Sequence, residues 1–124
     1  MAAAEGSFRF RREERLKSRA EITAVFKKGR SFASAGAKLF ILPNDRGYNR
    51  LAVTFSRKFG DAVRRNRARR LSREVYRLNK SRLRPGFDLV LLVYPGKDEF
   101  QARLAQFNTL SHRAGLLMER NNGD

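Results

Sequence analysis

The chain has no cysteine and no tryptophan, a single histidine and three prolines. Without cysteine there can be no disulfide framework and no thiolate-ligated zinc. His112 has no evident carboxylate or serine partner nearby in the sequence, so it reads as a packing or surface residue. No GxxxxGK[ST] loop and no metal-ligand spacing occurs, and the carboxylates do not pair convincingly, so the protein alone does not read as a catalyst. No apolar run comes near the roughly 18 residues of a membrane span. The opening MAAAEGSFRFRREERL lacks the apolar centre of a signal peptide. A cytoplasmic protein away from the membrane is the expectation. The remaining scarcity is of acid: 12 Asp and Glu face 28 Lys and Arg, a formal net charge of +16 over 124 residues, with a pI near 11.5. Such an excess repels itself in the compact state and usually serves a polyanionic partner. Nucleic acid comes first, an anionic membrane surface second.

There is nevertheless material for a core. The chain is 41% hydrophobic, unlike a disordered basic tail, and its length suits one domain. Residues 1 to 12 read as a mobile basic arm, with Phe8 and Phe10 set between arginines, and residues 13 to 120 as the domain. SRAEITAVFKKG predicts a short helix, with Ser18 and Glu21 as a capping box and Gly29 as its stop. Residues 30 to 43 predict one or two strands broken near SAGA, NDRG a turn, and residues 50 to 56 an alternating strand. A long helix capped by Asp61 follows and ends at RPGF. FDLVLLVYP predicts a strand buried on both faces. The segment from Lys97 to Arg120 predicts a closing helix with Phe100, Leu104, Phe107 and Leu110 inward and Asp98 and Glu99 at its positive end. This order gives an α+β, two-layer sandwich around one sheet.

The charge is concentrated. Residues 57 to 84 hold twelve Lys or Arg against two acids, Asp61 and Glu74. On a helical wheel Val63, Leu71, Val75 and Leu78 fall within about a third of the circle, which predicts the core face. Arg65, Arg69 and Arg73, continued by Tyr76 and Lys80, make a ridge on the opposite side, flanked by Asn66, Arg70 and Arg77. Like charges four apart cost a few tenths of a kcal/mol per pair, about 1 kcal/mol for the ridge, and few acids offset it. Guanidinium forks match phosphate and stack on bases. Asn66 reads either as a reader of 2′-hydroxyls or base edges or as a surface filler. In AKLFIL the alternation puts Lys38, Phe40 and Leu42 on one face, the wetter one. With Ile22 and Phe26 from the first helix, Phe40 would floor a basic-rimmed groove for single-stranded RNA, or Phe26 and Phe40 are ordinary core. Periodicity leaves both readings open.

RKFGDAVRRNRARRLSREVYR closely resembles the signature of the bacterial ribonuclease P protein component family. The basic pair is Arg57 and Lys58, the glycine is Gly60, and the R-N-R core is Arg65, Asn66 and Arg67. RLKSRAEITAVFKKGRS is similar to that family's first helix, and the likeness extends over roughly residues 9 to 119. The resemblance implies the protein subunit of a ribonucleoprotein that removes the 5′ leader of precursor tRNA. Its RNA carries the active site, and Mg2+ is held mainly by RNA and substrate. It implies a mostly antiparallel four-stranded sheet with three helices and a left-handed βαβ crossover, shared with some ribosomal proteins and a domain of elongation factor G. It implies leader contacts by Ile22, Phe26, Lys38, Phe40, Arg65, Asn66, Arg69 and Arg73. Contacts to ribonuclease P RNA would fall to Arg57, Lys58, Arg64, Arg67 and Arg70, with no obligate protein partner. Ile22 stands where relatives often carry an aromatic and Lys38 where an apolar residue is common, so charge would contribute more and stacking less. A ribosomal or RNA-chaperone protein, with no role in cleavage, would share the charge without needing the groove.

Overall fold

The structure, a computed structural model, describes residues 10–118. Helix α1 (Arg19–Lys28) starts where the Ser18 hydroxyl accepts the Glu21 N–H at 3.2 Å. The Glu21 carboxylate, expected to close a capping box, turns instead to Arg50. Gly29 ends the helix through crowding rather than an unusual backbone. Its φ is −76°, but a Cβ there would sit 2.5 Å from the Val25 carbonyl oxygen and 2.6 Å from that of Ile41. Strands β1 (Arg30–Ser34) and β2 (Ala37–Pro43) form the expected hairpin, turned at Gly36, whose φ of +89° few other residues adopt. β3 (Arg50–Phe55) leads into helix α2 (Ala62–Asn79), whose first turn is capped by Asp61 accepting the Arg64 N–H at 3.0 Å. β4 (Phe87–Val93) and helix α3 (Phe100–Arg113) follow.

The sheet order is β1-β2-β4-β3. β2 runs antiparallel to β1 and β4, while β3 and β4 run parallel, joined through α2 as a βαβ unit. The fold is α+β with a mostly antiparallel four-stranded sheet, as the sequence implies. Helices α2 and α3 cover one face over Leu39, Ile41, Leu51, Leu89 and Leu91. On the other face α1 covers only part. Val25 and Leu16 pack on Ala52 and Val90, with Ile22, Phe40 and Leu42 half-buried around them. The register aligns Phe40, Val90 and Ala52 in one row, with Lys38, Leu92 and Thr54 in the next row on that face.

Three expectations are corrected. Helix α2 is rotated by roughly a quarter turn from the wheel. Its buried positions are Ala68, Ser72, Val75, Tyr76 and Asn79, whereas Val63 is 76% and Leu78 42% exposed. Small residues let this helix lie close to its neighbours, and Asn79 satisfies itself by donating to the Val75 carbonyl at 2.8 Å. Helix α3 stops at Arg113 because Gly115 turns the chain at φ +70°. Leu116 to Met118 then pair with Arg82 to Arg84. Of the expected arm, residues 1–9 lie outside the described residues, while Phe10 to Arg12 are docked. The Phe10 ring meets Tyr76 edge-on at 5.6 Å, and Glu14, in the turn that follows, takes the Lys80 ammonium at 2.9 Å on both oxygens.

α1 is fastened to the sheet by Arg50. Its guanidinium donates twice to Asp88 at 2.8 Å and twice to Glu21, at 3.0 and 3.3 Å. Asn44 also donates to Asp88 at 2.8 Å. These hydrogen bonds raise the pKa of Arg50 despite burial. Removing one partner of such a pair strands the other charge, at a cost of about 3–5 kcal/mol, whereas replacing the pair together costs far less. Because Glu21 still holds Arg50, Asp88→Ala is expected to lower the chemical-denaturation free energy by up to that amount, and Arg50→Met in the Asp88→Ala background to recover part of it. Unchanged stability in Asp88→Ala would remove this network from the account of the fold.

Candidate nucleic-acid interface

The flank of α2 that overlooks β3 carries Arg65, Arg69 and Arg73, each half-buried. They stand beside the buried arc rather than opposite it, and Tyr76, expected on the ridge, is 1% exposed. Burial pushes its phenol well above the ordinary range, with the nearby Glu14 charge adding to the effect. The arginines are held by groups that leave their charge uncancelled. Arg65 donates to the carbonyls of Gly60 at 3.1 Å and Arg57 at 3.4 Å. The Arg69 guanidinium lies 5.1 Å from the Phe55 ring centre and donates to the Asn66 side-chain oxygen at 2.8 Å. Arg73 lies 5.9 Å from the ring centre of Phe10. Partial burial, then the charges of Arg15 and Arg69, hold Arg73 below the usual guanidinium pKa. Among the described residues none of these arginines pairs with a carboxylate; the carboxylates in ion pairs serve Arg46, Arg50, Arg77, Lys80 and Arg103. Uncancelled, aromatic-backed guanidiniums on a rigid helix suit phosphate and stacked bases.

The other half of the expected leader site is on the α1 face. Phe26 and Phe40 meet at 4.7 Å with their planes at 70°. The Lys38 ammonium lies 5.6 Å from the Phe40 ring centre. Phe26 is 37% exposed, and Ile22 and Phe40 are half-buried beside it. Phe40 packs on the small cluster under α1, Phe26 meets it edge-on, and both remain partly open on their outer side. Phe40 and the arginine row are on opposite faces of the sheet. The path from one to the other runs around β3, two strand spacings or roughly 10 Å from β2. The first part of that edge is covered by the N-terminal segment, where the Leu16 N–H donates to the Leu51 carbonyl at 2.9 Å.

The second basic set is separate. Arg57 and Lys58 are exposed in the turn after β3, and Arg64, Arg67 and Arg70 are exposed on α2, with Arg67 and Arg70 lining a shallow outer hollow with Leu71 and Glu74. Asn66 is exposed between the two sets. Sequence reasoning missed Phe55, Phe10 and Arg15 as neighbours of the ridge. The interleaving of Phe and Arg in FRFRR was the available signal for Phe10.

A family profile described as Ribonuclease P matches residues 10–115. The chain is 38% identical over 106 residues to the ribonuclease P protein component of Natranaerobius thermophilus, covering 84% of this chain and 92% of that one. It is 40% identical over 84 residues to that of Clostridioides difficile, covering 67% and 74%. Among solved structures, the RNase P protein of Thermotoga maritima superposes with a TM-score of 0.70 at 32% identity, covering 80% of this chain and 96% of that one. That of Staphylococcus aureus gives a TM-score of 0.76 at 23% identity, covering 85% and 98%.

Arg65→Ala and Arg69→Ala are expected to unfold cooperatively, as neither arginine is a core or ion-pair partner, yet to bind RNA more weakly. Each lost phosphate contact should flatten the slope of log affinity against log salt by roughly 0.7 to 0.9. Variants that lose cooperative unfolding, or that bind with an unchanged salt slope, would make these arginines structural.

Proposed function

The chain belongs to the ribonuclease P protein family, and from that membership we propose that it binds both the catalytic RNA of ribonuclease P and the 5′ leader of precursor tRNA. It thereby promotes Mg2+-dependent removal of the leader in the cytoplasm, while the RNA performs the cleavage. The observations that support this reading are the row of uncancelled arginines on the flank of α2 beside β3 and, on the other face of the sheet, the partly exposed Phe26–Phe40 pair with Lys38. A single strand has one charged backbone and one row of stackable faces, and needs both kinds of contact. In this reading Arg65, Arg69 and Arg73 take successive leader phosphates, Asn66 is aimed by Arg69, and Phe40 and Phe26 offer a surface to a base, with Ile22 packed beneath. Lys38 adds charge at the same place. Arg57, Lys58, Arg64, Arg67 and Arg70, facing away, take the catalytic RNA.

Among the described residues no three His, Asp or Glu come together. The best-placed carboxylates, Glu14, Glu21, Asp88 and Asp98, each face a cation of the chain itself. The metal belongs with RNA and substrate phosphates, and the arginine row assists by lowering the repulsion that those phosphates must overcome to approach each other.

The decisive experiment is reconstitution with a bacterial ribonuclease P RNA. The RNA-free protein is expected to cleave precursor tRNA at no Mg2+ concentration, and adding it to the RNA should lower the Mg2+ needed for cleavage. Metal-dependent cleavage by the protein alone would overturn the assignment. A second test addresses the aromatic patch. Phe40→Ala should weaken binding of precursor tRNA by the assembled enzyme by about 1–3 kcal/mol, the worth of one stacked base, and leave mature tRNA unaffected. Because Phe40 is only half-buried, its stability loss should fall short of the about 3–5 kcal/mol of a core Phe. Equal losses for both tRNAs would take Phe40 out of the site.

A further inference from the structure

The arginine row does not stop with α2. Arg15, from the segment before α1, lies 5.2 Å from the centre of the same Phe10 ring that carries Arg73. That segment is fixed at three points: Phe10 against Tyr76, Glu14 on Lys80, and Leu16 on the Leu51 carbonyl. A segment so held would be expected to bury or neutralise its charges. Glu14 does so, yet Arg15 beside it stays exposed and pairs with no carboxylate among the described residues. Two guanidiniums thus share one ring with no anion between them. The fold itself offers no reason for this arrangement, since the like charges repel. A phosphate would reverse the sign of the interaction.

The position also has a direction. Arg65, at the start of the row, is bonded to the Arg57 carbonyl, at the turn assigned above to the catalytic RNA. Steps of four residues carry the row about 6 Å at a time along α2 to Arg73, and Arg15 lies beyond it. For a leader that enters from the turn bearing Arg57 and Lys58, Arg65 comes first and Arg15 last. We infer that Arg15 is a phosphate-binding residue for the distal part of the leader, a fourth rung after Arg65, Arg69 and Arg73, and that Phe10 is its positioning residue. This inference rests on the ridge being the leader track.

The test uses the reconstituted ribonucleoprotein and precursor tRNAs with leaders of about two and about ten nucleotides, lengths that fall short of and span a single-strand binding site. With the long leader, Arg15→Ala should lose roughly three- to tenfold in affinity, and the salt slope should flatten by about 0.7. With the short leader, and in binding to the catalytic RNA, it should stay within about twofold of the unmodified chain. Phe10→Leu keeps an apolar contact with Tyr76 but removes the ring face. Because the ring also backs Arg73, it should show a long-leader loss at least as large, restored in Phe10→Tyr, and combining it with Arg15→Ala should cost less than the sum of the two single losses. Thermal unfolding is recorded for each protein, and Arg15→Gln replaces Arg15→Ala should the latter fail to fold. If the unmodified chain prefers the long leader and Arg15→Ala binds it equally well, the inference is overturned and the ridge reading stands. If the unmodified chain does not distinguish the two leaders, the ridge reading itself fails.

Discussion

Arg50 is the joint on which the rest of the molecule hangs. One guanidinium, set in β3, reaches β4 through Asp88 and α1 through Glu21, while Asp88 also receives Asn44 from the loop before β3. The open face of a four-stranded sheet offers α1 only a small apolar contact, centred on Val25, Leu16, Ala52 and Val90. A ten-residue helix resting on so little would be marginal by itself. The fork of Arg50 fixes where it sits, and that position determines that Phe26 stands over Phe40 and that the sheet beyond, at Lys38, stays open.

The scarce acids extend the same logic across the chain. Glu14 ties the N-terminal segment to the end of α2, Asp98 ties the loop after β4 to Arg103, and Asp61 starts α2. Each is engaged at a junction between elements. Along the row on α2 no carboxylate answers the cationic surplus among the described residues; aromatic rings back Arg69 and Arg73, and backbone carbonyls hold Arg65. Rings restrict a guanidinium without cancelling its charge, which a salt bridge could not do.

Much of this was legible in the sequence because it depends on neighbours in the chain. The caps Ser18 and Asp61, the break near SAGA, the alternation in β2 and the nearly continuous apolar run of β4 are local statements, and they hold. The orientation of α2 was not legible. Counting aliphatic residues put Val63 and Leu78 inside, whereas the helix turns Ala68, Ser72 and Asn79 inward to lie close to the sheet and α3, and lets the large Tyr76 fill the space beneath Phe10. Small and polar residues carry no hydrophobic signal, so such a face is invisible to a wheel. Equally hidden were the partners of Arg50, 29 and 38 positions away, and the docking of Phe10. These follow from tertiary placement, and no period in the sequence encodes them. The split of the expected leader residues between two sheet faces has the same origin.

The crowding of Arg15, Arg69 and Arg73 has a consequence for the life of the chain in a cell. A fold that stores mutual repulsion on one flank is less stable alone than with a polyanion seated there, and any ligand that binds only the folded form adds its own mass-action term to the folding equilibrium. Folding and assembly are thereby linked. Chains in excess of their nucleic-acid partner populate the unfolded state more, and it is from that state that proteases draw. On the proposed reading, the charges offered to RNA would in this way match the amount of surviving protein to the amount of RNA present to receive it.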